Sequence, residues 1–241
     1  MHALILAGGK GERLRPLTDA MPKPMVELNG RPILWHQVIR LRDAGVTDVV
    51  FLVGYLGEMV ADYFGDGSAF GIRAHYSHER TPLGRGGALR QGMAMLSGGG
   101  EPVIATNGDV VTDADLAELL TDYQRRRATN PTHCASILTV PMASPYGIVD
   151  TDGTGLVSGF REKAMLPHAI NGGVYVLSPD IQALLPEVGD HEVTTFPALA
   201  ATGRMSAVLS QEFWRSVDSP KDLREAAEHL ESKLAVLGAT L

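Results

Sequence analysis

Short, mostly apolar runs recur along the first half of the chain, at Ala3–Ala7, Asp48–Val53 and Pro102–Thr106, with Ile72–Tyr76 a shorter strand candidate. Runs of this length, without polar alternation, predict strands covered on both faces. Between them, Pro32–Ala44, Leu56–Phe64, Gly86–Leu96 and Asp113–Arg127 place apolar residues at helical spacing. Strands alternating with helices imply βαβ units and a mostly parallel sheet. The pattern predicts an α/β fold.

After Arg127 the texture changes. His133–Val140, Gly147–Asp150, Gly155–Arg161 and Ile170–Leu177 read as strands separated by turn residues such as Asp152-Gly153. They predict a return to the sheet plus antiparallel additions. Helical segments at Pro179–Leu185 and Thr194–Ala201 follow, then a strand near Met205–Ser210. A closing helix is expected from about Ser219, with Pro220 at its first position. No repeat, low-complexity tract or linker interrupts residues 1–241, so a single domain is the economical expectation.

Composition narrows the function classes. The 241 residues carry a formal net charge of −7, which argues against general binding to nucleic acid or a membrane surface. An anionic ligand must then meet a local cluster of positive groups. Cys134 is the sole cysteine, so no internal disulfide forms; it reads as core filler. The N-terminus lacks a basic leader and reads as a buried strand, and no apolar stretch matches a bilayer span. A cytoplasmic location is the expectation.

Such a cluster follows the first strand. Leu6, Ala7, Gly8 and Gly9 lead through Lys10 to Gly11, and the glycines let backbone N–H groups approach phosphate oxygens. Lys10, Arg13, Arg15 and Lys23 add the positive charge that the chain otherwise lacks. A plain strand-to-helix turn would explain the glycines but not these cations. A dinucleotide fingerprint needs a third glycine where Glu12, Arg13 and Leu14 stand, and a P-loop needs Ser or Thr after its Gly-Lys.

The run from Leu6 to Thr18, continuing through Pro22-Lys-Pro-Met-Val-Glu-Leu28, resembles the signature of the sugar-1-phosphate nucleotidyltransferases. The resemblance extends from Ala3 to about Leu223. Pro22–Phe64 is similar to glucose-1-phosphate cytidylyltransferases, whereas Leu83-Gly-Arg-Gly-Gly-Ala88 looks more like heptose- and mannose-1-phosphate guanylyltransferases. The family implies a Rossmann-like sheet with a small antiparallel sugar-binding addition. It also implies a nucleotide site that includes Gly86 and Gly87, and Mg2+ as cofactor.

The remaining candidates follow along the chain. Asp109, in Asn107-Gly108-Asp109, comes after a buried strand whose C-terminal end should face the ligand crevice. The family's matching aspartate binds metal. The bland alternative is a helix cap, a role that Thr112 or Asp113 could fill instead. Near the end, Trp214-Arg-Ser-Val-Asp-Ser-Pro220 departs from the family's usual Trp-x-Asp, with Ser216 at the aspartate position and Asp218 two residues later. Asp218 is either the second metal ligand or the cap of the final helix.

Phe160-Arg-Glu-Lys163 resembles the family's Phe-x-Glu-Lys-Pro, with Ala164 in place of proline. By that match Lys163 binds the sugar phosphate and Glu162 a sugar hydroxyl. Asn171-Gly172-Gly173 and Tyr146-Gly147 match the turns that wall the sugar pocket. Arg85 departs from the small residue usual in its loop; phosphate contact, base selection and a solvated side chain all stay open. His36 reads as structural.

The resemblance implies transfer of a nucleotide onto a sugar 1-phosphate with release of pyrophosphate. Arg13, Lys23, Asp109 and Lys163 would carry it. GTP with a mannose- or heptose-type 1-phosphate is the leading expectation. The competing expectations are CTP with glucose 1-phosphate, UTP or dTTP as donor, and a non-catalytic nucleotide-sugar sensor. Pairing into a homo-oligomer is left open.

Overall fold

The computed structural model describes residues 1–96 and 100–237. The first half runs β1 (His2–Ala7), β2 (Glu27–Leu28), β3 (Arg31–Pro32), α1 (Ile33–Asp43), β4 (Asp48–Val53), α2 (Glu58–Phe64), β5 (Arg73–His78), α3 (Gly84–Met93) and β6 (Val103–Asn107). The second half runs β7 (Val110–Thr112), α4 (Leu116–Thr129), β8 (Ala135–Ala143), β9 (Ile148–Thr151), β10 (Val157–Arg161), β11 (Met165–Leu177), α5 (Thr195–Ala201), β12 (Met205–Leu209), β13 (Trp214–Ser216) and α6 (Pro220–Leu237).

Seven strands form the central sheet in the order β12-β8-β11-β6-β1-β4-β5. The neighbours of β1, β4 and β8 run parallel, except that β11 runs antiparallel to both β6 and β8. The alternation of side chains explains why these strands are apolar throughout. Ala3, Ile5, Val49, Phe51 and Val53 face a layer that contains Leu34 and Val38 of α1, Phe64 of α2 and Leu119 of α4. Leu4, Val50, Leu52 and Ala105 face the opposite layer, with Leu89 of α3, Phe196 of α5 and Ile181 of the 3-10 segment Pro179–Leu184.

The C-terminal ends of the parallel strands β1, β4, β5 and β6 therefore lie along one edge of the sheet. The loops that follow them meet there.

Four sequence expectations change. The segment 113–115 is not helical: α4 starts at Leu116, capped by Asp115, whose carboxylate accepts the Ala117 N–H at 2.8 Å. The preceding residues form β7, which pairs antiparallel with β13. That pair was missed because each strand has only three residues and its partner lies about a hundred residues away. Pro179–Leu184 is a single 3-10 segment, not a full helix. β5 is Arg73–His78, shifted towards the C-terminus from Ile72–Tyr76. β9 and β10 form the expected antiparallel addition as a separate hairpin. Among the described residues, no helix is long and apolar enough to cross a membrane.

Candidate active site

A cleft of about 580 Å³ opens at the C-terminal edge of the parallel strands. Its walls are the loops after β1 (Gly8, Gly9, Lys10), β4 (Gly54, Tyr55), β5 (Glu79–Pro82) and β6 (Gly108, Asp109), with Gly84, Arg85 and Ala88 of α3. This is the place where an open parallel sheet presents backbone N–H groups and loop side chains to a ligand.

The loop after β1 explains its glycines. Gly11 has φ of +62°, and a Cβ there would lie 2.6 Å from the Lys23 Cβ. The Thr18 hydroxyl donates to the Gly11 carbonyl at 2.8 Å and closes the loop. Lys23 is thereby carried under the glycine turn with its side chain only 12% exposed.

The Lys23 ammonium lies 2.5 Å from Asp109 Oδ2 and 2.6 Å from Asp218 Oδ1. Arg13, whose side chain is mostly exposed, reaches Asp218 at 2.8 Å. Four of the sequence candidates thus meet at one point, although Lys23 and Asp218 are 195 residues apart.

Backbone pairing sets the two carboxylates. The Gly108 N–H donates to the Leu6 carbonyl and the Val217 N–H to the Asp109 carbonyl, both at 2.9 Å. Gln37 of α1 supports the same turn from below, donating to the carbonyls of Asn107 at 2.9 Å and Val110 at 2.8 Å. Ser216 is opposite Val110 in the β7–β13 pair, so the residues beyond it lie beside Asp109.

The cap alternatives resolve accordingly. The Ser219 hydroxyl, not Asp218, accepts the Asp222 N–H in the first turn of α6. Ser216 donates its hydroxyl to Asp218 Oδ2 at 3.1 Å. Burial alone would raise the Asp218 carboxyl; Lys23, Arg13 and Ser216 together hold it below its ordinary value.

This group fits a hard divalent cation. Two carboxylates converge on one positive charge, and Asp109 Oδ1 is buried with no hydrogen-bond partner among the described residues. Among the described residues no three acidic, His or Cys side chains form a group that could hold a metal ion, so any metal here would keep several waters, as Mg2+ does.

The second cluster lies on the antiparallel side. Gly147 packs on Phe160, and a Cβ at Gly147 would stand 2.5 Å from the ring and 3.2 Å from Glu162 Oε2. Glu162 and Lys163 occupy the turn between β10 and β11; both are exposed, and Lys163 has φ of +51°. Gly173 has φ of +70°, and a side chain there would strike the Asn107 amide at 2.7 Å. Asn171 Oδ1 accepts the Gly173 N–H at 3.0 Å and shapes this turn.

Gly86 and Gly87 face away from the cleft. The Gly86 N–H donates to the Gly189 carbonyl at 2.9 Å, and a Cβ on Gly87 would meet the Glu187 carbonyl. They let α3 dock on the 186–191 loop, while Gly84, Arg85 and Ala88 form the cleft wall. Leu6, Gly8 and Gly9 line the cleft, and Ala7 is buried beneath it. His36 is structural, its ring nitrogen 3.0 Å from the Leu28 carbonyl.

Two groups escaped the sequence reading. Glu79 directly follows β5, and its Oε2 accepts the Leu83 N–H at 2.9 Å while Oε1 takes no hydrogen bond from the described residues. The strand-end rule that singled out Asp109 applies equally to Glu79. Asp190 and Glu192, the partners of Arg85, carry no local signal.

The nucleotidyl transferase family profile matches residues 2–233. Mannose-1-phosphate guanyltransferase beta-A of Xenopus laevis is 36% identical over 230 residues, covering 92% of this chain and 62% of the relative. The mannose-1-phosphate guanylyltransferase catalytic subunit beta of Danio rerio is 36% identical with the same coverage. The chain thus spans about three fifths of the length of these curated relatives. Among solved structures, HddC from Yersinia pseudotuberculosis superposes with a TM-score of 0.71 at 26% identity, covering 95% of this chain and 99% of HddC. A second HddC structure, complexed with GMP-PN, gives a TM-score of 0.69 at 25% identity with the same coverage. With a family profile that covers residues 2–233 and curated relatives 36% identical over 92% of its length, the chain belongs to the nucleotidyl transferase family.

Proposed function

We propose that the protein transfers the nucleotidyl group of GTP to a mannose- or heptose-type sugar 1-phosphate, forming a nucleotide sugar and pyrophosphate. The convergence of Arg13, Lys23, Asp109 and Asp218 at the mouth of the glycine-lined cleft carries the reading. A sugar-phosphate oxygen attacks the α-phosphorus in line, the bond to the bridging oxygen breaks, and pyrophosphate leaves with that electron pair. The nucleophile is already an anion, so positioning and charge neutralisation suffice.

Lys23 steers the α-phosphate, Arg13 meets charge on the departing pyrophosphate, and Lys163 places the sugar phosphate. Glu162, Gly147, Asn171 and Gly173 form the sugar side. Asp109 and Asp218 would hold Mg2+, which neutralises phosphate charge when bound. Both substrates are water-soluble, in keeping with work in the cytoplasm.

Glu79 supports guanine. A carboxylate only accepts hydrogen bonds, and guanine alone offers adjacent N1–H and N2–H donors. Uracil and thymine present one N–H between two carbonyls, and cytosine and adenine place an acceptor beside their amino group. The names of the relatives and the GMP-PN complex of HddC point the same way.

Pyrophosphate release with Mg2+, scanned across five triphosphates and the 1-phosphates of mannose, glucose and heptose, tests the proposal. A strong preference for GTP with mannose or heptose 1-phosphate supports it. Preference for CTP with glucose 1-phosphate reassigns base and sugar. Nucleotide binding without turnover would instead favour the sensor.

A further inference from the structure

Arg85 lines the nucleotide-side wall of the cleft, yet its guanidinium turns to the loop across from it. Nε lies 3.0 Å and Nη2 2.5 Å from Asp190 Oδ2, and Nη1 lies 2.8 Å from Glu192 Oε1. Nη2 also stands 2.8 Å from Glu192 Oε2, so all three nitrogens are engaged by carboxylates.

Glu192 passes the contact onward. Its Oε1 accepts the Asn171 amide and the Tyr175 hydroxyl, each at 3.0 Å. Asn171 in turn holds the Gly173 N–H through Oδ1. Gly173 packs against the Asn107 side chain, one turn from Asp109. A continuous polar chain therefore links the nucleotide wall to the turn expected to carry the sugar.

Backbone bonds already join the two loops: Gly86 N–H to Gly189 O at 2.9 Å and Gly189 N–H to Leu83 O at 2.7 Å. The Arg85 side chain is not needed to dock them. It neutralises two carboxylates beside a site that must admit a phosphate dianion. Burial would raise the Asp190 carboxyl, but the Glu192 N–H and Arg85 bring it below its ordinary value. Burial and the Glu192 charge raise the Tyr175 hydroxyl, which stays a donor to Glu192 at ordinary pH.

We propose that Arg85 is a positioning residue for the sugar 1-phosphate, acting through Glu192 on Asn171 and the 171–173 turn. This rests on the function proposed above. Each nitrogen of Arg85 contacts a carboxylate of Asp190 or Glu192, which commits its guanidinium to the 190–192 loop.

The test is steady-state kinetics on Arg85→Met, Arg85→Lys, Glu192→Gln and the Arg85→Met/Glu192→Gln double variant, varying each substrate against saturating partner. Arg85→Met should raise KM for the sugar 1-phosphate about tenfold while leaving KM for the triphosphate within about twofold. Arg85→Lys should recover part of the loss, since one ammonium cannot replace the planar fork. The double variant should be no worse than the poorer single variant, because both break one chain.

A rise confined to KM for the triphosphate would mean direct contact and overturns the proposal. So would additive losses in the double variant, or equal rises in both KM values with a lowered melting temperature. If Arg85→Met does not fold, the sugar KM of Arg85→Lys and Glu192→Gln decides between the same outcomes. Absence of turnover by the unaltered enzyme removes the functional proposal and this one together; turnover with the wrong KM pattern removes this one alone.

Discussion

The two sides of the cleft are held by different physics. On the nucleotide side, the loops spring from strands sealed in the core: Ala3, Leu4 and Ile5 of β1 and Val49, Phe51 and Val53 of β4 are essentially inaccessible. Their charges are already paired before substrate arrives, with Lys23 between Asp109 and Asp218. On the sugar side, the β9–β10 hairpin leaves Phe160 66% and Val157 64% exposed, Tyr146 just before it is 78% exposed, and Lys163 stands in an open turn. A two-stranded hairpin has little stability of its own. The nucleotide side is therefore preorganised by packing, whereas the sugar side is organised by polar links such as the Arg85–Glu192–Asn171 chain and by its substrate.

The contrast makes ranked predictions. Asp109→Asn removes a charge from the preorganised side and should lower kcat by roughly a thousandfold with an unchanged melting temperature. Near-normal pyrophosphate release by that variant would remove Asp109 from the chemistry and dissolve the contrast.

The second prediction concerns His191, which packs against Tyr175 and Phe196 with neither ring nitrogen hydrogen-bonded among the described residues. Burial pushes it down from 6.5 to about 4, against the raising influence of Glu192 and Asp190. The unfolded chain then takes up the proton first, so this contribution to stability is complete above about pH 6.5 and falls as pH drops towards about 4. Lowering pH from 7 to 5 should cost about 2 kcal/mol through this group. His191→Phe should flatten that part of the slope in denaturant titrations at the two pH values. An unchanged slope would show that the ring titrates normally.

Lys163→Met tests the open side. It should raise KM for the sugar 1-phosphate by about thirtyfold and leave both KM for the triphosphate and thermal stability nearly untouched. A loss of stability instead would mean that the turn is a structural element. The smallest change is Glu79→Gln, which should cut the preference for GTP over UTP by about tenfold, because an amide offers the donor that uracil's carbonyl needs. Unchanged base preference would move base selection to another part of the wall.

Much of the nucleotide side was legible in the chain. The apolar runs of β1, β4 and β6 announced buried strands, and the glycines with Lys10, Arg13 and Lys23 announced an anion site. Asp109 was legible from its place after a strand, a rule that also points to Glu79. The sugar side was legible only through resemblance, because Glu162, Lys163 and Asn171 have no local pattern that demands their chemistry. Gly86 and Gly87 were expected at the nucleotide, but their small size serves the docking of α3 on the 186–191 loop. From sequence, a glycine needed for ligand approach and one needed for packing look the same.

By itself, the sequence determined the alternation of strands and helices, the buried faces of the sheet and the stock of charges near the first loop. Those properties follow from periodicity and from residue type at short range. Tertiary structure decided that Asp218 lies at Lys23 beside Asp109 instead of capping the final helix, since that depends on the β7–β13 pairing. It also decided that Arg85 meets Asp190 across 105 residues instead of facing solvent or phosphate. A contact between distant segments is set by how the sheet edges and loops close in space, and nothing in the spacing of neighbouring residues records it.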